Sequence, residues 1–166
     1  MKIKVFVSLF VTMAFLSSCS GRIDRAIAYN EVMVDAYSQV SEKEEALLHA
    51  ILTYDTLRMD AEYHAFVVQI NHSRNRIKNI GAFEDGYDDF FNAAINIIDT
   101  YERVAQKEIV EIIDFMPVYY ADPENEDLLE VLDNMLLKMD EVLDEAFIGF
   151  DLAQQKFAAR YSFALY

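Results

Sequence analysis

Glu45 with His49, and Asp60 with His64, stand four residues apart, a spacing that places each carboxylate and imidazole on one face of a helix. A di-iron helical bundle needs inward glutamates and Glu-x-x-His on two helices. No Glu-x-x-His occurs, so both pairs read as ordinary polar neighbours. Three histidines and seven methionines nominally permit axial haem ligation. Met135 and Met139, however, share a helix face with Leu132 and Leu136 and read as packing. Glu84-Asp85-Gly86-Tyr87-Asp88-Asp89 gathers oxygen ligands around a glycine but lacks the alternating acids and terminal Glu of an EF-hand loop, and it reads as a solvated helix cap. Cys19 is the only cysteine, which rules out an intramolecular disulfide, a CxxC redox pair and a Cys/His zinc cluster. With no nucleophile elbow either, the sequence offers no catalytic residue, cofactor ligand or metal ligand.

Two charged residues interrupt apolar stripes. Lys43 falls between Val40 and Leu47, and Glu108 falls between Ala105 and Ile112. Each lies about 20 residues from the start of its predicted helix, and those two helices run parallel in an up-down-up-down bundle. Lys43 and Glu108 are therefore expected to share a buried polar layer, with His64 or Asn71 close by, that sets register rather than performing chemistry.

The elements that would position these groups are helices. Leu129, Leu132, Leu136, Met139, Leu143, Ala146, Phe150, Ala153 and Phe157 recur at alternating spacings of three and four, and Phe91, Ala94, Ile98, Tyr101, Ala105, Ile112 and Phe115 make a similar stripe upstream. Asp122-Pro123 supplies an N-cap and a first-turn proline, with Glu124, Glu126 and Asp127 at the positive end of the helix dipole. A single helix over 23–80 would be about 87 Å long, so Asp55-Thr56 is taken as a turn. Gly81 reads as the next C-cap. The pattern predicts an all-α, up-down-up-down four-helix bundle with helices over about 23–54, 56–80, 86–120 and 123–162. Most of the twelve phenylalanines and ten tyrosines fall on the stripes and read as core, with a minority free to line a ligand groove.

The N-terminus carries an address. Val5 to Leu16 is an apolar run behind Lys2 and Lys4, shorter than the roughly 20 residues of a spanning helix. It leads into Leu16-Ser17-Ser18-Cys19, which resembles the lipobox of bacterial lipoproteins. The resemblance implies cleavage after Ser18, a diacylglycerol on the Cys19 sulfur and an acylated amino terminus. Several acyl chains anchor stably where one is marginal. Ser20 rather than Asp in the next position implies sorting to the outer membrane. Two further stretches, Phe91 to Tyr101 and Ala153 to Phe163, resemble segments of a family of small helical surface lipoproteins; that resemblance implies fold and location and carries no catalytic residue.

Composition narrows the partners. The net charge is −15 at pH 7, and losing residues 1–18 removes Lys2 and Lys4 but no acid. Nucleic acid, bound by Lys and Arg through counterion release, is excluded as a partner. Anionic headgroups repel the body, so it should stand off the membrane on its tether. Four glycines, two prolines and no tryptophan argue against a loop-rich β fold. Along the last helix Glu126, Asp133 and Asp140, with Glu130, Asp144 and Asp151 beside them, form an acidic ribbon suited to a basic protein partner or to weakly held cations. The expected role is a non-enzymatic, lipid-anchored binding or structural protein of the envelope. The alternative is a bundle that binds a small molecule or metal.

Overall fold

The computed structural model describes residues 3–84 and 89–165, with side chains described for residues 21–84 and 89–165. Five helices follow one another: α1 (Ile3–Leu52), α2 (Thr56–Ile80), α3 (Asp89–Gln106), α4 (Glu108–Ala121) and α5 (Glu126–Tyr161). They form the four arms of an all-α bundle, α3 and α4 together making the third arm. Cross-helix contacts fix the directions. Tyr29 donates to the Gly81 carbonyl, and Ser73 to that of Ala36, so α1 and α2 are antiparallel. Tyr63 donates to the Ala105 carbonyl, and Arg74 reaches back to Asp99 and Glu102, so α2 and α3 are antiparallel. Phe90 meets Phe157 while Glu108 meets Lys138, which sets the third arm against α5 in the same sense. Helix α2 packs on α1 and α3 and makes no contact with α5. The α2–α5 diagonal is thus the long one, and α1 and α3 meet across the short one.

Local chemistry explains the boundaries. The Asp55 side chain accepts from the Arg58 N–H and starts α2, as the turn reading required. Gly81 ends α2 with φ of 71°, a left-handed conformation that favours glycine. Tyr54 is also left-handed, and its ring stacks on Tyr120 at 4.5 Å while the Tyr120 hydroxyl donates to the Leu52 carbonyl. That contact ties the α1–α2 turn to the end of α4.

Several boundaries differ from the sequence reading; α1, expected over 23–54, runs from Ile3 to Leu52. The arm expected as one helix over 86–120 starts at Asp89 among the described residues and breaks at Lys107, whose φ and ψ are −127° and −76°. No glycine or proline marks the break; it turns both Glu108 and Ile109 inward, as packing against α5 and α1 demands. Helix α5 starts at Glu126 rather than 123, because the Asn125 side chain, not that of Asp122, accepts from the backbone N–H groups of Asp127 and Leu128.

The core runs the length of the bundle. At the end that holds Tyr29 and the α2–α3 connection it is aromatic: Phe157, fully buried, has ring centroids of Tyr161, Phe90, Phe83 and Tyr29 within 4.8–5.4 Å. Across the α2–α3 seam, the largely buried Arg74 is bidentate to Glu102 and also bonds Asp99 at 2.7 Å. Such charge-assisted pairs hold register more firmly than exposed ones.

Candidate functional site

Helix α1 decides where the polar residues face. Its buried positions run Ala36, Val40, Glu44, Leu47 and Ile51, so the gap between Val40 and Leu47 is filled by Glu44 and not by Lys43. A heptad allows either spacing, three then four or four then three. Lys43 is exposed, as are His64 and Asn71 on α2; Asn71 donates to the Val67 carbonyl of its own helix. Glu108 alone of the anticipated layer is buried, and its cationic neighbours are Lys107 and Lys138. The structure therefore does not bring Lys43, Glu108, His64 and Asn71 together.

Glu44 instead closes the inner end of a cleft of about 500 Å³ where α1, α3 and α5 meet. Tyr37, Ser41, Glu44, Glu45 and Leu48 come from α1, Ile97 and Tyr101 from α3, and Asp140, Leu143, Asp144 and Phe147 from α5. Four carboxylates line it and no basic residue does. Two of the four belong to the acidic ribbon of α5, which the wheel of that helix turns toward α1. The Tyr37 ring packs 5.7 Å from Phe147 and 6.2 Å from Tyr101, giving the cleft aromatic walls.

The electrostatics follow from this crowding. Burial, reinforced by the negative charge of Asp140, pushes the Glu44 carboxyl up to about 7, against the lowering effect of a hydrogen bond with Tyr101. Burial and then the charge of Glu44 raise the Tyr101 hydroxyl well above its ordinary value. Asp140 is also raised, by burial and by neighbouring Asp144. Each of these shifts comes first from burial, and a negative neighbour adds to it. The cleft can accept a cation through its carboxylates and the faces of its rings.

Other anticipated residues lie apart. Glu45 lines the cleft while His49 is exposed, and Asp60 is exposed with His64. Met139 is buried and Met135 packs against the core. In the 84–89 segment Glu84 makes a bidentate pair with Arg25, and residues 85–88 lie outside the described residues. The Cys19 side chain also lies outside them. Among the described residues no group of three His, Cys, Asp or Glu side chains is placed to hold a metal ion, and no helix is long and apolar enough to cross a membrane. No protein-family model matches the chain, and no curated protein or solved structure matches it.

Proposed function

We propose that the chain is a lipid-anchored, non-enzymatic binding protein of the outer membrane, whose acidic cleft between α1, α3 and α5 receives a basic side chain of a protein partner. The observation that carries this reading is the cleft itself: four carboxylates and three aromatic rings around a space with no basic residue of its own. A lysine or arginine entering it would satisfy Glu44 and Asp140 together and lie against Tyr37 and Phe147. The outer ridge of α5 adds the exposed apolar residues Leu137, Ile148 and Leu152 among its acids, a surface that supplements charge with apolar contact. A second reading, a small organic cation as ligand, is favoured by the cleft volume, which lies within the range of small-molecule sites.

Titration of the full chain in non-ionic detergent with a lysine-rich peptide tests the cleft. Binding is expected to weaken about tenfold or more in Asp140→Asn and Glu44→Gln, and to strengthen from pH 5 to pH 8 as Glu44 gives up its proton. Unchanged affinity in both variants would remove the cleft from the interaction. Binding of lysinamide, the amide of a single lysine, as tightly as the peptide would favour the small-cation reading.

The anchor has its own test. Labelled fatty acid supplied to cells expressing the chain is expected to enter the wild-type protein and not Cys19→Ala, which should lose detergent-phase partitioning as well. Label that persists in Cys19→Ala would refute lipidation at that sulfur.

A further inference from the structure

We propose that the whole seam between α1 and α5 docks a basic amphipathic helix of a protein partner. Such docking rests on the proposed function and extends it from the Glu44 cleft along the bundle. Of the four seams around the bundle, the one between α1 and α5 is the most sparsely packed. A second cavity, of about 610 Å³, lies on this seam, bounded by α1 from Ile27 to Ser38, by Gln154 of α5, and by Phe163 and Leu165 just after that helix. The cleft takes over at Tyr37 and continues to Leu48. From Ile27 to Leu48 the groove runs about 32 Å at 1.5 Å per residue, the length of about six helical turns. Its floor is closed: Tyr37 packs 5.5 Å from Phe150, and Gln154 donates to the Asn30 side-chain oxygen at 3.0 Å.

The residues along the seam select the occupant. On α1, Ile27, Glu31, Val34, Ser38, Ser41, Glu45 and Leu48 recur at alternating spacings of four and three, a second heptad stripe beside the one that fills the core. Ile27, Val34 and Leu48 are half-buried, and the serines between them let a backbone come close. A stripe of this kind suits a helix lying in the groove, which meets it with anchors at i, i+3, i+4 and i+7. Charge then sets the sign of that helix. Among the described residues no basic side chain lines either cavity, and none of Glu31, Glu44, Glu45, Asp140 and Asp144 is ion-paired. Asp35, also on the seam, is already held by Arg76. Carboxyl groups without an ion pair repel an acidic segment and a second copy of this chain alike. The matching helix therefore carries lysine or arginine on both flanks of an apolar face.

The test uses the full chain in non-ionic detergent, labelled at isoleucine, leucine and valine methyl groups, so that shifts report contact with the chain rather than with the micelle. The probe is a peptide of about 21 residues built of leucine and lysine with the leucines on one helical face, and a scramble of equal composition is its control. The helical peptide is expected to shift the methyls of Ile27 and Val34 as well as those of Leu48, and to bind about tenfold or more tightly than the scramble. Glu31→Lys, a charge reversal at an exposed position outside the Glu44 cleft, should weaken it about fivefold. Equal binding of the scramble, shifts confined to the Leu48 end, or indifference to Glu31→Lys would overturn the proposal. So would methyl shifts that grow with protein concentration in the absence of peptide, which would assign the seam to a second copy. The lysine-rich peptide used against the cleft separates the two readings. If it still depends on Asp140 and Glu44 while the helix binds no better than its scramble, the cleft reading survives and helix docking does not; if it ignores both substitutions, the cleft reading itself fails.

Discussion

Phe157→Ala is expected to cost about 3–5 kcal/mol of unfolding free energy, a large part of the roughly 5–15 kcal/mol available to a domain of this size. Phe157 is fully buried, and its ring joins residues from α1, α5 and the segment after α2, through Tyr29, Tyr161 and Phe83. Its removal takes away apolar burial and leaves a cavity. Rings on three sides, themselves locked by one another, cannot collapse into that cavity without breaking their own contacts. Phe147, 42% exposed at the mouth of the cleft, is the control: Phe147→Ala should cost under about 1 kcal/mol. Urea unfolding followed by circular dichroism measures both, and a large fall in midpoint at constant slope for Phe157→Ala alone is the expected pattern. Equal costs would mean that the aromatic end is not the anchor of the core.

Glu44→Gln is expected to stabilise the protein at pH 8 by about 3 kcal/mol and to leave it nearly unchanged at pH 4. The folded state holds the Glu44 proton until about pH 7, whereas the unfolded chain releases it near 4.5. Between those values the folded state binds more protons than the unfolded, so stability falls as pH rises through the window and levels off above it. Glutamine at this position carries no charge to bury, so its stability curve lacks that slope. Asp140, also raised, contributes in the same direction, and Asp35, lowered by its bond to Arg76, contributes in the opposite one at more acid pH. Asp35, whose partners are Arg76 and Gln39, cancels in the difference, whereas the repulsion between Asp140 and Glu44 is part of what the substitution removes. Thermal melts of the pair from pH 4 to pH 8 decide the matter: curves that stay parallel would show that Glu44 does not titrate in this window. A protein that accepts about 3 kcal/mol of electrostatic strain at neutral pH to keep a carboxylate in a cleft has a gradient available for cation binding.

Sequence order alone determined the all-α class, the number of arms and the ends of α2. Those features depend on short-range periodicity and on caps such as Asp55 and Gly81, whose geometry involves neighbours within four residues. The proposed anchor, too, rests on the local order of Leu16 to Cys19. Tertiary structure decided the rest. Whether Lys43 or Glu44 faces the core is a rotation of about 100° that the heptad pattern leaves open, and packing of α1 against α3 and α5 settled it for Glu44. The break at Lys107 has no glycine or proline to announce it, because it arises from the fit of α4 between α1 and α5 and not from local propensity. The cleft joins residues of α1, α3 and α5. The burial of Glu108 is legible as an interruption of an apolar stripe, but its neighbour Lys138 and the Tyr101 and Asp140 neighbours of Glu44 are not, because a buried carboxylate's neighbours come from other helices and one-dimensional order does not contain them.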